Sequence, residues 1–347
     1  MNKLRIILRS LIGNKVTTII TIIGFSISIS IALIIIAFLI GEYSYDKSYE
    51  NIDRIYRVVA DNNVSSVRED FRELLLANYP SIEDACRYNN YNSIVTWEDK
   101  PFNGQMIVTD ASFFNIFSIH FITGTIYSSF VNLNDVVITE SFATKIFGSE
   151  DPIGKTLIVE YNVPVIVSGV VRDFPSHSSI QGDFFTNSKT RIKYEGSSDG
   201  MGNDVNFFRM FILAKNSADI YVLEELLTND LSAVQYTFGS VDKISLIPFG
   251  KSYFMQGIER SQTQHTNLKL IRLLSLISSI IILLAVFNYV NLTTATHTDR
   301  FREIGIKKSF GASRLQIFRQ FMTESFILCF ISFLLAMFLS SFWVPIF

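Results

Sequence analysis

Three stretches of this chain contain no charged residue: residues 16–40, 273–292 and 325–347. Each is about 20 residues or more, the length at which an α-helix crosses a hydrocarbon core of about 30 Å. Composition agrees, since 48% of the residues are hydrophobic and the mean hydropathy is +0.30. The fold class that follows is a membrane protein with α-helical transmembrane spans and one inserted α+β extracytoplasmic domain.

The first run is preceded by Lys3, Arg5, Arg9 and Lys15, which resembles the basic start of a secretory signal. Its apolar part is too long for one, and no small-x-small cleavage site follows Ile40, so a retained anchor is expected. Leu4, Ile7, Leu8 and Leu11 share one helical face with Arg5 and Arg9 turned away, which predicts an interfacial amphipathic helix over residues 1–15. Orientation comes from the cations: four Lys/Arg in residues 1–16 and six in residues 293–320 place both segments in the cytoplasm. Residues 41–267 carry 18 Lys/Arg against 29 Asp/Glu, and they are the translocated part.

That inserted segment alternates β-rich runs ("RIYRVVA", "DVVIT", "TLIVE", "VPVIVSGVV", "FFRMFILA") with helical ones ("REDFRELLLANY", "ESFATKIFG", "ADIYVLEELLTNDL"). "EYNVPVI" offers a hairpin turn at Asn162, and "SSDGMGND" reads as a polar loop. Cys86 is outside and Cys329 is within the third span, so no disulfide joins them.

Signals for catalysis are weak. "FGSEDPIGKTL" ends in Gly154-Lys155-Thr156, but five residues rather than four separate these from Gly148. Glu150 and Asp151 would oppose phosphate oxygens, and Pro152 removes a backbone donor. The segment is also extracytoplasmic, where no ATP pool exists. "GSSDG" formally matches a nucleophile elbow at Ser198, yet the turn-forming "MGNDVN" follows where a helix is required. His120, His177, His265 and His297 show no metal-ligand spacing. No catalytic residue, cofactor, metal or nucleic-acid partner is expected, and any ATP-driven role must use a partner's site.

The cytoplasmic segment says most. In "NYVNLTTATHTDRFREIGIKKSFGASRLQIFRQFMTESF" Glu303 and Lys307 form an i, i+4 pair, the helix stops at Gly311 in the left-handed conformation, and Ser313 with Gln316 opens the next helix through a capping box. A basic helix-turn-helix on the membrane face follows.

"REIGIKKSFGAS" and "RQFMTESF" resemble the signature of the MacB/FtsX-type ABC transporter permease family. "SYDKSYENIDRIYRV", "VVITESFATKIFG", "DPIGKTL" and "VSGVVRDFPSHSSIQGDF" are similar to the MacB-like periplasmic core domain of its long-chain branch. The resemblance implies a permease subunit in the cell inner membrane with its N-terminus cytoplasmic. Its domains would be an interfacial helix (1–15), spans at 16–40, 268–292 and 321–347, an extracytoplasmic domain (41–267) and a cytoplasmic coupling segment (293–320). Arg302, Glu303, Ile304, Gly305, Ile306, Lys307 and Lys308 would contact a separate ATPase, with Gly311, Ala312 and Ser313 closing the element.

Further partners implied are a second copy or second permease half and a periplasmic adaptor or cargo. The family has a fourth span, often followed by a second half, so a chain stopping at Phe347 is expected to be a fragment or split product. The expected function is to transmit ATP-driven motion to the extracytoplasmic domain for export, cargo release or partner activation. The competing classes are a membrane-anchored sensor or scaffold, which would ordinarily need a cytoplasmic output domain, and a membrane-anchored serine hydrolase, which would need Ser198 in an elbow. Gly24, Ser28 and Ala32 form a small-residue stripe expected to pack against another helix.

Overall fold

The computed structural model describes residues 15–61, 64–159, 162–190, 207–230, 243–255, 257–258, 262–295 and 304–343. The interfacial helix except Lys15, the Ser198 loop, His297, Arg302 and Glu303 lie outside them. Contacts divide the chain into two units, residues 1–43 with 268–347 and residues 44–267.

The first unit is helical. Helices Lys15–Ser44, Leu268–Ala295 and Arg314–Trp343 are each long and apolar enough to cross a membrane. The first and third meet where the Ser26 hydroxyl, fully buried, donates to the Ser332 carbonyl at 3.1 Å. Phe25 lies 5.5 Å from the ring of Tyr289, and the Tyr289 hydroxyl bonds that of Ser325, so all three helices share one seam. Hydroxyls and aromatic rings suit this role because lipid supplies neither hydrogen bonds nor an apolar contrast to drive association. Glu324, the last charged residue of the chain, is buried here at 3% exposure. Gly24 faces Asn288, Ala32 is buried, and Ser28 between them is half-buried.

The second unit is built on an eleven-stranded mixed sheet among the described residues. Its strands are β1 (Ile55–Ala60), β2 (Ser66–Arg68), β3 (Ile82–Trp97), β4 (Lys100–Thr109), β5 (Phe121–Thr123) and β6 (Asp135–Thr139). They continue with β7 (Thr156–Val159), β8 (Val163–Val171), β9 (Phe184–Asn187), β10 (Phe207–Ala214) and β11 (Ile244–Pro248). Six of them close a circuit, β3–β4–β9–β6–β8–β7 and back to β3 through Thr96 and Ile158. Side chains from all six, including Val95, Val108, Ile138, Leu157, Val165 and Phe184, join one buried cluster.

Outside the circuit, β10 shows why its sequence reads as an apolar run from Met210 onward. Phe211 and Leu213 enter one core while Met210, Ile212 and Ala214 enter another on the opposite face, so neither face is left for solvent. Helices Phe71–Asn78 and Ile220–Asn229 cover the second core, and helix Ser112–Ile116 adds Phe113 and Phe114 to the first.

The long β3–β4 hairpin was not foreseen. Its turn residues Glu98 and Asp99 both have positive φ, +48° and +63°, the two-residue geometry that matches strand twist. Glu-Asp lacks the glycine that usually announces such a turn. Asn162, by contrast, sits at φ +57° ahead of β8, as its sequence suggests.

Candidate functional site

Residues 304–309 are helical and end in a Schellman motif. The Gly311 N–H donates to the Lys308 carbonyl and the Ala312 N–H to the Lys307 carbonyl, both at 3.0 Å, with Gly311 at φ +84°. Helix Arg314–Trp343 then begins in a reciprocal capping box: the Ser313 N–H donates to Gln316 Oε1 at 3.0 Å and the Gln316 N–H to Ser313 Oγ at 3.3 Å. Lys307 Nζ reaches Gln320 Oε1 at 3.0 Å and clamps residues 304–309 to helix Arg314–Trp343. The turn is therefore fixed from both sides.

What this element presents is mixed. Ile306, Phe310, Leu315 and Phe318 are exposed beside Lys308, Arg314 and Arg319, which makes a basic surface with apolar knobs. A Cβ built on Gly305 would meet nothing within 4 Å, so nothing in the described chain requires glycine there. Ile304, Ala312 and Lys307 are half-buried, while Ser313 is exposed.

The Gly-Lys-Thr segment folds quite differently from a phosphate cradle. Gly148 (φ +64°) ends helix Glu140–Phe147, Gly154 (φ +78°) makes a turn, and Thr156 starts a strand instead of a helix. Lys155 pairs with Glu150 and lies 5.1 Å over the Trp97 ring and 5.0 Å over that of Phe147. Among the described residues no group of three or more His, Cys, Asp or Glu could hold a metal.

A second feature was not singled out residue by residue. The loop around His177–Ile180 binds both the chain entering the extracytoplasmic unit and the chain leaving it. On the entering side the Asp46 N–H donates to the His177 carbonyl at 2.9 Å, the Ser179 N–H donates to Asp46 Oδ1 at 2.7 Å, and the Tyr49 and Ser178 hydroxyls bond at 2.6 Å. On the leaving side the Gln264 N–H donates to the Ser179 carbonyl at 2.9 Å, while Arg57 Nη1 donates to Thr263 Oγ1 at 3.0 Å. Tyr45 stacks on Tyr253 at 3.9 Å, joining the two sides again.

The electrostatics of this junction follow from burial. Asp46 is fully buried, its Oδ2 has no hydrogen-bond partner among the described residues, and desolvation raises its pKa to about 6 despite the hydrogen bonds from Ser179. Burial likewise lowers Arg57 to about 9, helped by repulsion from Arg209, and lowers His265. The sequence signal was present only as two similar motifs, "SYDKSYENIDRIYRV" and "VSGVVRDFPSHSSIQGDF", whose meeting in space could not be read from either.

Residues 18–229 match the family model of the MacB-like periplasmic core domain, and residues 275–347 match that of the FtsX-like permease C-terminal region. The chain belongs to the MacB/FtsX-type permease family. Relatives include the macrolide export ATP-binding/permease protein MacB of Neisseria meningitidis serogroup A, 20% identical over 97% of this chain and 52% of that protein. The pyoverdine export ATP-binding/permease protein PvdT of Pseudomonas aeruginosa is 28% identical over 54% of this chain and 26% of its own length. This chain thus spans about half the length of the MacB relative. Among solved structures, a domain of a putative permease from Porphyromonas gingivalis is similar at 22% identity and TM-score 0.49, covering 58% of this chain and 93% of that one. The periplasmic region of MacB from Actinobacillus actinomycetemcomitans is similar at 16% identity and TM-score 0.44, covering 59% and 93%.

Proposed function

We propose that this chain is the permease subunit of an ABC transporter, which receives ATP-driven motion at residues 304–320 and delivers it to the extracytoplasmic unit. The observation that carries this reading is the doubly capped turn at Gly311–Ser313, clamped by Lys307 and Gln320, which makes the exposed basic element one piece with helix Arg314–Trp343. A force applied to a flexible loop would be lost in the loop; applied here it tilts a helix.

The ATPase sits on a separate subunit at the cytoplasmic face, where Arg302, Glu303, Ile304, Gly305, Ile306, Lys307 and Lys308 contact it. The N-terminus is cytoplasmic and residues 41–267 are periplasmic. Helix Lys15–Ser44 is followed in sequence by Asp46 and helix Leu268–Ala295 is preceded by Gln264, so the chain joined to each helix is held by hydrogen bonds within the junction. The names of the relatives favour export as the output. A second permease half and a periplasmic adaptor or cargo complete the assembly.

The test is isolation of the affinity-tagged chain from native membranes. An ABC ATPase should copurify with wild type and be lost with Gly311→Val, whose φ of +84° no β-branched residue adopts without strain, while the membrane level of the chain holds. Retention of the ATPase at wild-type level in Gly311→Val contradicts the proposal.

A further inference from the structure

A groove on the extracytoplasmic unit has a lining of unusual chemistry. It is an open depression of about 260 Å³, and every described residue that lines it carries a side-chain amide or hydroxyl; among them none is charged and none is aliphatic. Six are amides: Asn90, Asn92, Gln105, Gln181, Gln262 and Gln264. A neighbouring depression of about 550 Å³ shares Asn92 and Gln105 and adds the polar Ser93 and Asn103, the apolar Ile94, Gly104 and, among the described residues, a single carboxylate, Asp183. These volumes are of the order of small-molecule sites, roughly 300–1,000 Å³.

The amides fall into two sets. The first is fixed: Asn90 Nδ2 donates to the Gln181 carbonyl at 2.7 Å, Gln181 Nε2 donates to the Pro175 and Ser178 carbonyls, and Gln262 Oε1 accepts from the Asn90 N–H at 2.8 Å. These bonds hold strand β3, the His177–Ile180 loop and the segment leaving the domain in one floor. The second set is open: Asn92, Gln105 and Gln264 are exposed, and among the described residues their side-chain amides have no hydrogen-bond partner. Each offers two donors and an acceptor with two lone pairs. The rigid floor fixes the backbone from which the rim amides project, and only the ordering of these exposed side chains is left for a hydrogen-bonding ligand to meet.

The chemistry selects the ligand. Among the described lining residues a phosphate or carboxylate would find no cation, and a cation would find only Asp183, which already accepts from the Gln105 N–H at 2.7 Å. A protein partner would look for aromatic, Met or Arg anchors, and the one ring, Tyr91, packs toward the interior cluster. Vicinal hydroxyls, each both donor and acceptor, match amides in kind. We propose that this groove is a binding site for a neutral oligosaccharide, gripped by Asn92, Gln105 and Gln264. The proposal goes beyond the coupling reading and stands without it.

The experiment uses the full chain in lipid nanodiscs, because maltoside detergents would present a competing sugar. Maltotriose, cellotriose and N,N′,N″-triacetylchitotriose are titrated by saturation-transfer NMR, with trigalacturonate as the anionic control. At least one neutral trisaccharide should bind at millimolar concentration or below, and Asn92→Ala/Gln264→Ala should weaken it by about tenfold or more, two hydrogen-bonding groups being lost. Gln105→Glu, which keeps the side chain's size and replaces its donors with charge, should weaken it also. The three substituted residues, Asn92, Gln105 and Gln264, are exposed, so folding is not at stake. Absence of any neutral trisaccharide signal in the millimolar range, binding unchanged in the variants, or preference for trigalacturonate would each overturn the site.

Discussion

The Ser179 backbone N–H donates to Asp46 Oδ1 at 2.7 Å across 133 residues of sequence, and this bond fastens the start of the extracytoplasmic unit to the loop that also holds its end. Asp46 is fully buried, and burial holds its pKa at about 6 against an ordinary 3.8. The native state therefore keeps the proton longer than the unfolded chain does, so stability at this site is greatest at low pH and falls as pH rises from about 4 to above 6. The full effect is roughly 3 kcal/mol. Asp46→Asn retains an oxygen for Ser179 and removes the titration. Thermal unfolding at pH 5 and pH 7.5 should show a larger loss of stability on raising pH for wild type than for Asp46→Asn; equal pH dependence would sink the idea.

Arg87 and Asp110 form the opposite case. Burial would raise Asp110, but Arg87 grips it through Nε at 3.0 Å and Nη2 at 2.8 Å, Ser188 Oγ donates at 2.7 Å, and the carboxyl is held below its ordinary value. Arg87→Met leaves the buried Asp110 carboxylate with only Arg72, 3.6 Å away, as a charged neighbour and should destabilise toward the lower end of about 3–5 kcal/mol. That penalty should shrink as pH falls and Asp110 takes a proton. A penalty independent of pH would show that packing of the Arg87 stem, not the charge pair, carries the cost.

Lys155 is expected to act as a packing group. Lys155→Met keeps the apolar stem over Trp97 and Phe147 and removes the exposed pair with Glu150, a change worth about 1 kcal/mol or less. Nucleotide titration of wild type and variant should show no binding in either. Saturable ATP binding lost in Lys155→Met would restore the nucleotide reading of the Gly-Lys-Thr segment.

Within the helical unit, a Cβ on Gly24 would sit 3.3 Å from Asn288 Nδ2, whereas Phe25 rests on Tyr289. Gly24→Leu should therefore separate the first and second helices more than Phe25→Leu, which keeps an apolar contact. Cysteine crosslinking between helices Lys15–Ser44 and Leu268–Ala295 measures this. Equal yields in the two variants count against close packing at Gly24.

What the sequence disclosed depended on the range of the interaction. The three long helices follow from uncharged length, and the turn at Gly311–Ser313 from residues whose only role is local: a left-handed glycine and a Ser/Gln box act within four residues of themselves. The β3–β4 hairpin stayed hidden because Glu98-Asp99 adopts positive φ without glycine. The closed strand circuit depends on Thr96 meeting Ile158, and the junction on Asp46 meeting Ser179. No local pattern encodes either encounter. The amide groove was missed for the same reason, since β3, β4, the His177–Ile180 loop and residues 262–264 each contribute only a few members.

The central claim is that residues 304–320 dock on a separate ATPase, and Gly305 separates docking from folding. A side chain at 305 meets nothing in the described chain, and replacing glycine within a helix favours that helix by up to about 1 kcal/mol. Gly305→Leu should leave membrane level and thermal stability at or above wild type. Quantitative copurification of the ATPase from membranes expressing wild type, Gly305→Ala and Gly305→Leu measures docking alone. A stepwise loss, partial for Ala and severe for Leu, with stability unchanged, is the predicted result. Wild-type ATPase recovery with Gly305→Leu would contradict the account.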